Sequence, residues 1–331
     1  MKKPSEECLD RYEVNIKGDT VFASNARLLQ SIYRESHITK DMGTYTPKDS
    51  NGKHRKLGNL LPNAIAINKG ANFLTSGIYD VVKNAINHKS CTHALISEPR
   101  IWTNLLSSQP MCFNLFGELV KDNSLATRVF RELFPNLIED VTQVDFEYSP
   151  GRGDTKYLKD KTAFDAFVKF QDTNGKQGFI GIETKYCEHM RDKSSASGKP
   201  DEARDKYVSI ARESGVFRLN SDTKSKLLDT SIHQLWRGHL LALRMLRVDK
   251  QTYAYGFYMF IYPQDNVQCS YRLSKYYETL ISDDFMKNKI KSVTLEQIVD
   301  VLSNNSNSDW IQAFKHRYLG FNTVNLINSN V

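Results

Sequence analysis

No stretch of this sequence is apolar for long enough to cross a bilayer. The opening residues, Met1-Lys2-Lys3-Pro4-Ser5-Glu6-Glu7, turn polar and acidic where a secretory leader would become apolar. A soluble, cytoplasmic protein without a membrane partner is therefore expected. Cysteine is scarce. Cys8, Cys91, Cys112, Cys187 and Cys269 are scattered, odd in number and never in a CxxC pair. That spacing argues against a disulfide framework and against a zinc site. A long disordered tail and internal repeats are missing as well. So is any helix-turn-helix or zinc-finger pattern for reading bases.

What remains is the composition of an ordinary folded protein. Of 331 residues, 40% are hydrophobic and 25% charged, enough to bury a sizeable core. The net charge of +7 permits contact with phosphates without proving it.

Periodicity divides the chain. Residues 24–36, 71–88, 101–120 and 123–134 carry apolar side chains at helical spacing, and Pro110 is expected to start a new segment or kink the third. Residues 42–60 read as loop, with a basic cluster at Lys53-His54-Arg55-Lys56. From residue 141 the pattern changes to alternation. Strands are expected at 141–148, 163–170 and 177–186, the last two joined by the turn Asp172-Thr173-Asn174-Gly175. Residues 189–201 read as a polar loop, 202–213 and 230–246 as helices, and 252–262 as a strand buried on both faces. Helices follow near 271–281, 295–303 and 308–318. The expected organisation is a helical region over 1–135, an α/β core over 136–265 and C-terminal helices over 266–331, in one continuous unit.

The chemistry concentrates between Asp165 and Lys185. Asp165 sits inside an apolar strand, where an ionised carboxylate needs a partner, a hydrogen bond or a metal. In the returning strand Gly181, Glu183 and Lys185 share a face, with Gly181 expected to leave open space beside the charges. The hairpin brings this strand beside Asp165. Two acids and a lysine at one point suit phosphodiester hydrolysis. Carboxylates hold a hard cation such as Mg2+, and a lysine steadies developing charge or assists the attacking water. On the pattern alone a structural ion pair explains the same residues equally well.

The strings Phe146-Glu147-Tyr148-Ser149-Pro150-Gly151-Arg152, Thr162-Ala163-Phe164-Asp165 and Gly178-Phe179-Ile180-Gly181-Ile182-Glu183-Thr184-Lys185-Tyr186 go further. This Asp, hairpin, ExK order resembles the PD-(D/E)xK nuclease superfamily, and the longer strings look like one bacterial branch of restriction endonucleases. The resemblance covers about residues 109–245, and no Pro-Asp pair precedes the ExK. It implies a restriction-endonuclease-like α/β fold, a core sheet of about four mixed strands flanked by helices, with the site at one sheet edge. It implies Asp165, Glu183 and the backbone carbonyl of Thr184 as ligands of Mg2+, with Mn2+ as a substitute, and Lys185 as the residue assisting water.

Glu147 is a further candidate ligand, with Glu118 as its rival. Gln234, at the start of the long helix, is a candidate site residue by the same resemblance, and Arg237 either holds a phosphate or faces water. His233 and His239 are six apart, so they do not share a helical face and read as structural. Tyr253, Tyr255, Tyr258 and Tyr262 read as core rather than as stacking platforms. The implied activity is Mg2+-dependent DNA endonuclease action, in restriction or phage defence. A homodimer would supply the two centres a double-strand cut needs. The alternative is a silent or partner-activated nucleic-acid-binding subunit, with its partner in a defence system.

Overall fold

The expected meander forms, as β3 (Asp140–Tyr148), β4 (Phe164–Gln171) and β5 (Gln177–Thr184). The turn between β4 and β5 is closed by Asp172, whose carboxylate accepts from the backbone N–H groups of Asn174 and Lys176 at 2.9 and 2.8 Å. Antiparallel pairing sets Ala166 opposite Ile182 and Phe146 opposite Ala166. In this computed structural model, which describes residues 1–48, 52–188, 201–229 and 231–329, β6 (Tyr255–Tyr262) then lies parallel to β5. A further strand, β7 (Ile290–Thr294), lies parallel to β6. The sheet is mixed, five-stranded and ordered β3-β4-β5-β6-β7, one strand more than the resemblance implied. β7 escaped sequence reading because Ile290-Lys291-Ser292-Val293-Thr294 is short and half polar, and only its pairing with β6 defines it.

Both faces of the sheet are covered, which makes a three-layer α/β arrangement. On one face Val168, Ile180, Ile182, Phe257, Met259 and Ile261 share a core with the helices Ser108–Phe116, Asn123–Leu133, Leu295–Asn305 and Asp309–Leu319. On the other, Phe167, Phe179, Tyr258 and Phe260 lie against the helices Asp201–Ser214 and His233–Val248. Each such side chain, once fully buried, contributes roughly 1.5–3 kcal/mol before entropy is counted. β6 has residues Gly256 to Ile261 buried, as expected of a strand packed on both sides.

The helices expected from periodicity are present with shifted ends. Val21–Tyr33 and Ser76–Asn87 precede the helix Ser108–Phe116. Pro110 falls in the first turn of the last of these, where its missing N–H breaks no helical bond. Residues 42–60 are not simply loop. β1 (Gly43–Lys48) and β2 (His54–Leu57) pair as a hairpin, and the side chains of His54, Arg55 and Lys56 are exposed on it. The exposed polar run hid the strand pattern. Helices Glu6–Arg11, Ser221–Leu228 and Phe321–Ser329 add to those expected. The loop expected at 189–201 lies almost wholly outside the described residues. Among the described residues no helix is long and apolar enough to cross a membrane.

Candidate active site

The site begins where strand alternation breaks. Side chains two apart on a strand share a face. Yet Phe164 packs with Phe167 on one side of the sheet, while Ala166 packs with Val168 on the other. Asp165 lies at this break. β4 and β5 are paired only as far as Ala166 and Ile182, so the next backbone donor on β5 needs another acceptor. Asp165 provides it: Oδ2 accepts from the Thr184 N–H at 2.8 Å and the Thr184 hydroxyl at 3.0 Å. Both bonds fall on the same oxygen. The space over Gly181, expected to be open, is filled by the Phe164 ring, which a Cβ there would approach to 2.4 Å. The same break in alternation that turns Phe164 onto this face accounts for the difference.

Glu183 and Lys185 do share a face, and they bond to each other. Lys185 Nζ donates to Glu183 Oε1 at 2.5 Å, with both residues only 6% exposed. Gln234 Nε2 donates to the same oxygen at 2.8 Å. Gln234 reaches it because its helix lies close on the sheet: a Cβ on Gly238 would stand 2.6 Å from the Tyr258 ring. The Lys185 N–H pairs with the Ile261 carbonyl at 2.8 Å and extends the β5–β6 ladder past Glu183.

Glu147 enters from β3. Its neighbours Phe146 and Tyr148 face Ala166 and Phe164 across the ladder, so it stands beside Asp165. It has φ of 51°, in the left-handed region, at a cost of about 1–2 kcal/mol for a residue with a Cβ. Such a kink re-aims a side chain. Gln109 Nε2 donates to Glu147 Oε1 at 2.6 Å. Gln109 is placed in turn by Glu188, just past β5, whose Oε1 accepts from the Ser108 N–H at 2.6 Å and whose Oε2 accepts from the Tyr186 N–H at 3.1 Å. A carboxylate is favourable at that helix N-terminus.

Glu147, Asp165, Glu183, Lys185 and Gln234 line one cavity of about 330 Å³. Burial and the Asp165 charge push the Glu147 carboxyl up to about 8, against Gln109 and Arg152. Burial and Asp165 push Glu183 up to about 7, against the pull of Lys185. Burial also raises Asp165, outweighing Lys185 and the Thr184 donors. For Lys185 burial acts downward, but the charges of Glu183 and Asp165 prevail and hold the ammonium above its ordinary range. The cavity is thus crowded with carboxylates that resist ionisation together.

That crowding is the test of fit for a cation. Each carboxylate has one oxygen engaged by a close donor: Oε1 of Glu147, Oδ2 of Asp165 and Oε1 of Glu183. The donor set is all oxygen, as Mg2+ prefers. The spacing is not that of a closed cage, since among the described residues no three His, Cys, Asp or Glu side chains stand at metal-ligand distances. The residues fit such a cation chemically, with Glu183 turned toward Lys185.

Other residues singled out from sequence lie elsewhere. Glu118 accepts from the Thr75 hydroxyl, which caps the helix Ser76–Asn87. His239 is buried between the Tyr276 hydroxyl and the Asn288 carbonyl, at 2.8 and 2.7 Å, and burial lowers it to about 3. His233 is buried against Tyr207 and Trp236. Tyr253 and Tyr258 are buried in the core. Arg237 lines the cavity but is tied to Thr162 at 2.8 Å and Asp160 at 3.3 Å. Sequence reasoning missed Gln109 and Arg152. The first contacts Glu147 across 38 residues, and the second was quoted in the string that ends at Arg152 without being given a role.

No curated protein and no solved structure matches the chain. The sequence profile of the PD-(D/E)XK nuclease superfamily matches residues 17–320, which takes in every strand of the large sheet and every residue of the cavity. With nearly the whole chain matched, and with an acid, a hairpin and an ExK strand meeting at one cavity, this protein belongs to the PD-(D/E)XK nuclease superfamily.

Proposed function

We propose that the protein is a Mg2+-dependent endonuclease that hydrolyses DNA phosphodiester bonds. The observation that carries this reading is the meeting of Glu147, Asp165, Glu183 and Lys185 at one cavity, in a chain of a nuclease superfamily. Asp165, Glu183, Glu147 and the Thr184 carbonyl would hold the cation, with Mn2+ as a substitute. When bound, such a cation polarises phosphoryl oxygens and lowers the pKa of water. Lys185, held protonated, donates rather than accepts. Its part would be to steady charge on the phosphoryl oxygens and to assist the attacking water. Gln234 and Gln109 fix the carboxylates of Glu183 and Glu147. A restriction or phage-defence role, a homodimer and a cytoplasmic setting belong to the same proposal: the first rests on the resemblance of the strings around Glu147, Asp165 and Glu183, the second on the two centres a double-strand cut needs, and the third on the polar opening residues and scattered cysteines.

The test is incubation of supercoiled plasmid and of RNA with the protein in Mg2+, Mn2+ or EDTA. Cutting of DNA in Mg2+ or Mn2+ alone is the expected result. Cutting that persists in EDTA, or of RNA only, contradicts the proposal. A second reading has its own support. Glu183 Oε1 already accepts from Lys185 and Gln234, so a partner that drew Lys185 away would free this oxygen for a cation. Inert protein that begins to cut when mixed with a co-purifying partner would establish that reading instead.

A further inference from the structure

Four cations line the cavity: Arg152, Lys161, Lys185 and Arg237. Lys185 is paired with Glu183, Arg237 with Asp160 and Thr162, and Lys161 is exposed at the rim. Arg152 differs from all of them. Its side chain is 6% exposed, and among the described residues nothing accepts a hydrogen bond from Nε, Nη1 or Nη2. Glu147 Oε2 is 4.0 Å from Nη2, too far for a hydrogen bond. A buried guanidinium with idle donors is rare in a folded protein and calls for an explanation.

The loop that carries Arg152 is built rather than loose. The Gly153 N–H donates to the Asp160 carbonyl at 2.8 Å, and the Asp154 N–H to the Gly151 carbonyl at 3.1 Å. Gly151 lies so close to Tyr157 that a Cβ there would stand 3.0 Å from the ring. Arg152 also lines two further cavities, of about 610 and 390 Å³, so it stands where they meet the carboxylate cavity. A fork of N–H donors fixed at such a junction matches the oxygens of a phosphate, which it can grip in two places.

We infer that Arg152 anchors a backbone phosphate of the nucleic acid, in a phosphodiester subsite beside the carboxylate cluster. The inference rests on the nuclease reading only for the identity of the anion. The anchored phosphate supplies the acceptors that the fold leaves out, and it fixes the strand relative to Asp165 and Glu183.

The test is fluorescence anisotropy of a labelled DNA duplex in EDTA, with wild type, Arg152→Met and Arg152→Lys. Arg152→Met should weaken binding roughly tenfold or more and flatten the dependence of log K on log salt by about one. Arg152→Lys should recover part of the loss. A duplex carrying one neutral methylphosphonate, moved along the strand, should weaken wild type at one position and leave Arg152→Met unaffected there. Melting of the free protein separates this from a structural role: Arg152→Met removes donors that nothing accepts from and only a distant ion pair with Glu147 at 4.0 Å, so its melting temperature should stay close to that of wild type. Equal affinity and salt slope, equal sensitivity to the methylphosphonates, a much lower melting temperature or wild type that binds no DNA would each overturn the inference. Wild type that binds in EDTA but never cuts in Mg2+ would sink the reading of a nuclease active on its own and leave this one standing.

Discussion

Two parts of the molecule bury charge in opposite ways. Arg317 is fully buried, and its guanidinium donates to Gln30 Oε1, to the Asn72 carbonyl and to Asn72 Oδ1, at 3.1, 2.7 and 2.5 Å. The rings of Tyr33 and Tyr318 lie 5.4 and 4.8 Å from it. Gln30 in turn donates to the Arg317 carbonyl, and Asn114 to the Asn72 carbonyl. This knot ties the N-terminal helices to the C-terminal helix Asp309–Leu319. In the cavity, by contrast, three carboxylates are each engaged on one oxygen, and Arg152 has no hydrogen-bonded partner among the described residues. The same chain therefore satisfies a charge where it serves architecture and leaves it short at the cavity. Native folds break the rule of full satisfaction where a ligand completes the set.

The contrast can be broken from either side. Glu183→Gln should cut cleavage by roughly a thousandfold or more, because it removes charge the transition state depends on. The same variant relieves burial and the repulsion from Asp165 but takes its paired carboxylate from the buried Lys185 ammonium, so its loss of cutting should far exceed any change in melting temperature. Arg317→Met should do the reverse. Its acceptors lose their donors, so urea unfolding should show a loss of about 3 kcal/mol, while the folded fraction cuts normally. If Arg317→Met abolished cutting in well-folded protein, the division between structural and functional charge would be wrong.

Smaller effects sharpen the same line. Gln109→Ala and Gln234→Ala should each lower kcat by roughly tenfold, through misplacement of Glu147 and Glu183. Kinetics indistinguishable from wild type would remove both residues from the site.

The last expected effect is on pH. Glu147 and Glu183 are raised in the folded protein, to about 8 and about 7, from 4.5. The stability they confer by holding protons is complete below that ordinary value and is lost as pH rises through 7 and 8. The metal-free protein should therefore melt progressively lower between pH 5 and 8.5, and Mg2+ should restore more at the upper end. Glu147→Gln should flatten the upper part of that decline. A melting temperature that climbs over this range would contradict the crowding of the carboxylates.

Much of the site was legible in the chain. The alternation before and after Asp172-Thr173-Asn174-Gly175 marked the hairpin, and the hairpin brought Asp165 to the ExK strand. Glu147 was named from its place in an apolar strand and Gln234 from its place at the start of the helix after the ExK strand, and both line the cavity. The break at Asp165 was not read, because regular alternation was assumed through Phe164, and so Gly181 was left an open space that Phe164 fills. Gln109 and Arg152 escaped because their roles depend on tertiary neighbours: Gln109 on a helix fixed by Glu188, Arg152 on a loop whose enclosure no local pattern records. β1, β2 and β7 escaped because short strands rich in polar residues resemble loops.

The most direct test of the central claim is cleavage of supercoiled plasmid in Mg2+ by wild type, Asp165→Ala and Lys185→Ala, side by side and at matched folding. Nicking or linearisation by wild type alone is the predicted result. Equal cutting by all three would place the chemistry outside this cavity and contradict the account.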